Sequence, residues 1–171
     1  MAATRGYAAP AVSEACARAR ELCQQVGETA QLCRLLGRLW SFHLVRAELQ
    51  TAHEFAQQCL TLSQQMGDPT ALLSAHQGLG QVLIHLGALI SARSHLEQVH
   101  TLYNPQQHRQ QVATGQEPGM LGLSYAARVL WLLGFPDQAL QRSDAALSLD
   151  VHFVNPSSVF LLDKGSTWRA C

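Results

Sequence analysis

The residues with most chemistry to offer in this chain are eight histidines and five cysteines. Two histidines grip one metal ion from a helix when they stand four apart on one face, as in H-E-x-x-H. No such pair occurs. His95 and His100 are five apart, which splays them around a helix. The histidines therefore read as surface or partly packed residues, and neither a metal nor any other cofactor is expected. The cysteines (Cys16, Cys23, Cys33, Cys59, Cys171) are odd in number and contain no C-x-x-C pair. Cys16 and Cys23 lie seven apart, on one helical face. Reduced thiols packed in a core are the expected state, since a free cysteine behaves as a small buried hydrophobe; a metal or redox role is the alternative. Catalytic signatures are missing too. There is no nucleophile elbow, no cluster of carboxylates and no G-x-x-x-x-G-K-[ST] phosphate loop. The one lysine stands in Lys164-Gly165-Ser166. No enzyme activity is expected within these residues.

Composition narrows the class further. Apolar residues make up 47% of the chain and charged residues 14%, the reverse of a disordered segment. Lys plus Arg balances Asp plus Glu at 12 each, so no net charge draws nucleic acid or an anionic membrane. Eleven of the 12 basic residues are arginine. No run reaches the roughly 18 uninterrupted apolar residues of a membrane span. The opening Met1-Ala2-Ala3-Thr4-Arg5-Gly6-Tyr7 lacks the apolar stretch of a secretory signal, so the expected compartment is the cytoplasm.

The chain repeats itself. Leu22, Gln24, Gln25, Val26, Gly27 and Glu28 recur forty residues on as Leu62, Gln64, Gln65, Met66, Gly67 and Asp68. A small residue followed five positions later by Ala recurs as Ala47/Ala52, Gly87/Ala92 and Gly134/Ala139. An acidic or amide residue before proline recurs as Asp68-Pro69, Glu117-Pro118 and Asn155-Pro156. These marks form one physical unit. Proline suits a first helical turn, where its missing N–H has no intrahelical partner. A Gly or Ala then ends that helix in a tight turn. The Ala early in the next helix lets the two approach closely, and Gly27 and Gly67 close the second helices.

Apolar spacing near 3.6 supports the helices: Leu72, Ala75, Leu79, Val82, Leu83 and Leu86 form one face, and Leu121, Tyr125, Val129, Leu132 and Leu133 another. The layout expected is a leading helix over about 10–26 and helix pairs over about 29–46/48–66, 69–86/88–103 and 118–133/136–149. A polar insert over 104–117 separates the last two pairs. Val151 to Val154 read as a turn, and 156–162 as the start of one more first helix. Residues 1–162 are thus expected to form one repeat domain, with a non-repeat tail over 163–171.

This pattern resembles the tetratricopeptide repeat, W-x2-L-G-x2-Y then A-x3-F then P. The middle pair fits it best, with Leu79, Gly80, Leu83, Gly87, Ala92 and Leu96. The first pair offers Leu39, Trp40, His43, Ala52 and Ala56; the last offers Ala126, Ala127, Leu130, Gly134 and Ala139, with Ser143 where an aromatic is expected. The resemblance implies an all-α, right-handed superhelical solenoid of antiparallel helix pairs. A narrower resemblance lies in Ser94-His95-Leu96-Glu97-Gln98, Tyr103-Asn104-Pro105-Gln106-Gln107-His108 and the run Trp131 to Leu140. These phrases look like the helical C-terminal part of large bacterial signalling ATPases that carry an AAA-type ATPase or an adenylate/guanylate cyclase. It implies a sensing or docking tail cut from such a protein, with the phosphate loop and any cyclase elsewhere.

In tetratricopeptide solenoids the first helices line the concave side. The register places Arg38, Ser41, Gln77, Gln81, His85, Ser124, Arg128 and Trp131 there. Amides would hold a peptide backbone, Arg a carboxylate and Trp an apolar anchor; ordinary wet first-helix residues are the plainer reading. The Lys/Asn-rich carboxylate clamp of chaperone cofactors is not reproduced. The insert offers Gln107, His108 and Arg109 as contacts for a small effector, or is disordered. Trp40, Tyr103, Tyr125 and Trp131 are expected mainly in the core. The partner expected is a protein or peptide, including the ATPase or output domain of a parent protein. Both ends read as cut repeats, with Val12, Leu22 and Val26 at one end and Val159, Phe160 and Leu161 at the other lacking cover, so self-association or marginal stability is also expected.

Overall fold

The computed structural model describes residue 18, residues 29–104 and residues 118–150. Regular structure in these residues is entirely helical: α1 (Thr29–Val45), α2 (Leu49–Met66), α3 (Pro69–His85), α4 (Leu89–Leu102), α5 (Pro118–Leu132) and α6 (Pro136–Asp150). They fall into two compact units, one up to Ala88 and one from Leu89 onward. The helix expected over 10–26 (Arg18 apart), the insert beyond Asn104, the turn at 151–154, the helix start at 156–162, the tail and the uncovered end residues all lie outside the described residues.

The turn that ends each first helix comes straight from the repeated small residue. Ala47, Gly87 and Gly134 all have positive φ (59°, 76° and 85°). After α1, the Glu48 N–H donates to the His43 carbonyl (2.9 Å) and the Ala47 N–H to that of Leu44 (3.0 Å). The same two bonds recur as Ala88 to Leu83 and Gly87 to Ile84 after α3, and as Phe135 to Leu130 and Gly134 to Trp131 after α5. This is the Schellman arrangement, which satisfies carbonyls that a helix C-terminus otherwise leaves open. The second helix α2 ends and α3 begins with only two residues between them. Gly67 ends α2 at φ 64°, its N–H reaching the Ser63 and Gln64 carbonyls. Asp68 then caps α3, its Oδ1 accepting from the Thr70 N–H at 3.0 Å, with Pro69 in the first turn.

In the first unit α1, α2 and α3 pack on one another. Cys33, Leu36, Leu39 and Phe42 form the buried stripe of α1; Ala52, Ala56, Cys59 and Ser63 form that of α2. Each buried Leu or Phe contributes about 1.5–3 kcal/mol of transfer free energy. Ala52 and Ala56 are wholly inaccessible, so a larger side chain there would hold the helices apart. Trp40 is half-buried, with its indole over Gly78 of α3; a Cβ on Gly78 would meet the ring at 2.8 Å. In the second unit α5 packs on both α4 and α6. Its approach to α4 runs over two glycines: a Cβ at Gly122 would lie 2.5 Å from Val99, and one at Gly119 equally close to the Tyr103 ring. Ala92 and Ala139, the later partners of Ala52 in the repeat, are buried as the repeat requires.

A polar network tightens the first turn. The Glu48 carboxylate accepts from Arg46 Nε at 2.7 Å and meets His43 Nδ1 at 2.5 Å. The His43 ring stacks on Phe55 of α2, and Arg46 lies over Phe42. The bond from Arg46, then that with His43, holds the Glu48 carboxyl below the usual carboxylate range.

Two predictions follow from these turns. Ala47→Gly relieves the left-handed alanine and should raise unfolding stability by about 0.5–1 kcal/mol in urea titration, after the added freedom of the unfolded glycine. Gly87→Ala and Gly134→Ala should each lower it by about 1 kcal/mol. A Cβ at either glycine meets nothing within 4 Å, so the loss is one of backbone conformation alone. The second concerns pH. A carboxyl depressed in the folded state adds stability above its unfolded pKa, near 4.3, and that stability is lost as pH falls through the lower folded value. Glu48→Gln should therefore lower the melting temperature at pH 7, and the gap to wild type should close as the pH drops below the ordinary carboxylate range.

Candidate functional site

The residues expected on the first-helix faces occur in both units. In the first unit, Arg38 and Ser41 stand one turn apart on α1, flanking Trp40 in sequence; Arg38 is exposed and Ser41 half-buried. Arg38 forms no ion pair among the described residues. Gln77, Gln81 and His85 stand four apart along α3, one face of the helix. The two amides are half-buried and His85 is exposed. The imidazole of His85 holds to its own helix, with Nδ1 2.9 Å from the Gln81 carbonyl oxygen. The contact of Trp40 with Gly78 draws α1 and α3 together beside these rows. A first-helix pair in direct contact, with a guanidinium in no ion pair among the described residues and a row of amides, is equipped to bind by hydrogen bonds and charge.

In the second unit Ser124, Arg128 and Trp131 lie on α5. The Ser124 hydroxyl is occupied locally, donating to the Met120 carbonyl at 2.9 Å. Arg128 is exposed beside the half-buried Tyr125. Burial pushes the Tyr125 phenol above its usual pKa, against the opposing pull of Arg128, so at neutral pH it remains a hydrogen-bond donor. Trp131 is 41% exposed, which departs from the core position expected of it and suits the alternative of an accessible anchor. Trp40, Tyr103 and Tyr125 are each half-buried. Gln107, His108 and Arg109 lie outside the described residues.

Two groupings of residues were not read from the sequence. Trp131, Leu132, Phe135 and Leu140 are all exposed where α5 turns into α6, and the Arg93 guanidinium lies 5.4 Å from the centre of the Phe135 ring. Their nearness along the chain was visible; their exposure was not, because the same residues on a fully packed helix would have been core. The other feature is a contact between two cysteines of the first unit. Cys33 Sγ lies 3.3 Å from Cys59 Sγ and 3.3 Å from Ser63 Oγ, whose hydroxyl donates to the Cys59 carbonyl at 2.7 Å. Both thiols are buried and free, as expected for cysteines packed in a core. The signal that would have found the pair is symmetry. Cys33 and Cys59 stand at equal chain distances from Arg46 in the turn, and such positions face each other in an antiparallel helix pair. Among the described residues, no group of three His, Cys, Asp or Glu side chains gathers as a metal cage. None of their helices is long and apolar enough to cross a membrane.

No family model matches this chain, and no curated protein does. Among solved structures, the crystal structure of the TPR domain of Arabidopsis FLU is similar at a TM-score of 0.59 and 19% identity, over 70% of this chain and 95% of that one. At that identity the likeness speaks for the fold. The chain is an all-α protein built of antiparallel helix pairs of the tetratricopeptide kind.

Proposed function

We propose that this chain is a non-catalytic module that binds a protein or peptide through the exposed faces of its first helices. The observation that carries the reading is the polar surface of α1 and α3: Arg38 is exposed and in no ion pair among the described residues, and α3 carries the row Gln77, Gln81 and His85. An extended peptide brings carbonyl and N–H groups that glutamine amides satisfy from either side. A terminal or side-chain carboxylate would take Arg38 in a bidentate bond. Arg128 and Trp131 offer the same chemistry, with an apolar anchor, on the second unit. The likeness to a TPR domain supports this reading through the fold.

The segments similar to bacterial signalling ATPases favour a place for the module in such a protein. There it would be a cytoplasmic regulatory region whose partner is the ATPase or another output domain. An effector-sensing role through the insert over 104–117 is the second reading. It is favoured by the length of that segment, which a standard repeat does not need.

Selection from a library of peptides with free C-termini, displayed against the whole chain, tests the first reading. Selected peptides should bind with micromolar Kd. Arg38→Ala should weaken them about tenfold or more, the loss of one charge-assisted hydrogen bond. Gln77→Ala with Gln81→Ala should weaken them several-fold while far-ultraviolet circular dichroism stays unchanged. Selected peptides whose affinity ignores all three changes, and also Arg128→Ala and Trp131→Ala, would show that the first-helix faces are not the binding surface. A melting temperature raised by a small metabolite and not by any peptide would favour the effector reading.

A further inference from the structure

The two buried cysteines of the first unit are placed for chemistry that a packing role does not need. Cys33 projects from α1 and Cys59 from α2, with sulfurs 3.3 Å apart and no atom between them. The two residues are directly opposed: Cys33 Sγ lies 3.8 Å from the Cys59 carbonyl oxygen, and Cys59 Sγ lies 3.6 Å from that of Cys33. A disulfide needs sulfurs about 2.05 Å apart, so closure asks for about 1 Å of movement, within reach of small side-chain rotations. Solvent is one layer away. Leu32 and Leu62 pack on the cluster that holds both cysteines, and the same leucines line an open groove with Gln58 and Thr61.

We propose that Cys33 and Cys59 are a redox site, a dithiol that a peroxide-class oxidant converts to a disulfide clasping α1 to α2. The roles of the two sulfurs differ. The bond from the Cys59 thiol brings Cys33 down to about 6, with Ser63 helping and burial opposing. The same contact and burial push Cys59 well above the usual thiol range. Cys33 is therefore the attacking sulfur and Cys59 the resolving one. Cys33 thiolate attacks one oxygen of hydrogen peroxide and the O–O bond breaks. This leaves a sulfenic acid on Cys33, and the departing hydroxide takes up the proton Cys33 had lost. Cys59 sulfur then attacks Cys33 sulfur. The S–S bond forms, the S–O bond breaks, and hydroxide leaves as water with the Cys59 proton. Two thiols lose two electrons, and one peroxide becomes two waters. The clasp joins residues 26 apart in sequence, a loop long enough to restrict the unfolded chain substantially. Disulfides of cytosolic proteins are characteristically of this reversible, sensing kind.

The test uses the full chain carrying C16S, C23S and C171S, so that Cys33 and Cys59 are the only thiols. The folded protein is treated with hydrogen peroxide, free thiols are alkylated, and tryptic peptides are weighed. The expected product is the peptide ending at Arg34 joined through Cys33 to the Cys59 peptide, and separable by dithiothreitol. The oxidised chain should melt about 5–10 °C higher than the reduced one. That rise should vanish in a further C59S variant, in which peroxide takes Cys33 only to sulfenic or higher acids. Wild-type chain, mapped the same way, should show the same Cys33–Cys59 link. The proposal is overturned if both cysteines of the folded protein remain fully alkylated after peroxide. It is also overturned if oxidation stops at an acid on Cys33 with Cys59 present, or if the link forms only in denaturant.

Discussion

At Ala47, Gly87 and Gly134 the backbone leaves the right-handed region, and in each case two amides bond back to the last turn of the helix just ended. That local geometry is what makes a helix pair possible in this chain. The left-handed residue reverses the chain and closes the open carbonyls, and the following helix begins within two residues. Ala52, Ala92 and Ala139 then arrive at a fixed distance along the second helix, each buried. A residue that could not adopt positive φ would move the turn, and the alanine would no longer fall where the helices come closest. Ala47 shows the constraint at its strongest. The position keeps its left-handed conformation without a glycine, held by the bonds of the turn and by the network of His43, Arg46 and Glu48 around it.

The turn also determines who faces whom. Once α1 and α2 are antiparallel about Arg46, positions equidistant from it are opposed, and Cys33 meets Cys59. The pair shares its surroundings with Ser63, the fully buried polar side chain of α2, which is satisfied by the Cys59 carbonyl and the Cys33 sulfur. An apolar side chain at Ser63 would fill the same space but remove a hydrogen-bond partner from the thiol. The core of this unit therefore combines ordinary leucine packing with a small polar cluster. The lowered pKa of Cys33 comes from that cluster, since burial alone would raise it.

The proposed binding surface rests on a different contact. Gly78 lets the Trp40 indole closely approach α3, the helix that carries Gln77, Gln81 and His85. An exposed guanidinium and half-buried amides on a helical base lose little freedom when a ligand binds, which favours recognition by hydrogen bonds. The second unit, described by itself, exposes Trp131, Leu132 and Phe135, apolar side chains of the kind that interface centres use.

The sequence by itself determined the helices and their ends. Apolar spacing, the recurring small-residue-to-alanine interval and Asp68-Pro69 are local signals, and backbone preferences within one turn are enough to read them. Gly67 and Gly87 were legible as helix ends for the same reason. It also carried the likeness to tetratricopeptide repeats, because that consensus records which positions must be small. Only the tertiary structure decided burial and pairing. Trp131 and Trp40 are the same residue type at the same kind of helical spacing, yet one is 41% exposed and the other rests on a glycine thirty-eight positions away. The sequence drew attention to Cys16 and Cys23, neighbours on one helical face, whereas the sulfurs in contact are Cys33 and Cys59, on different helices. The physical reason is range. A helix face follows from the chain's own period of 3.6 residues, but a contact between helices depends on where the turn places the second helix and on how closely small residues let it approach.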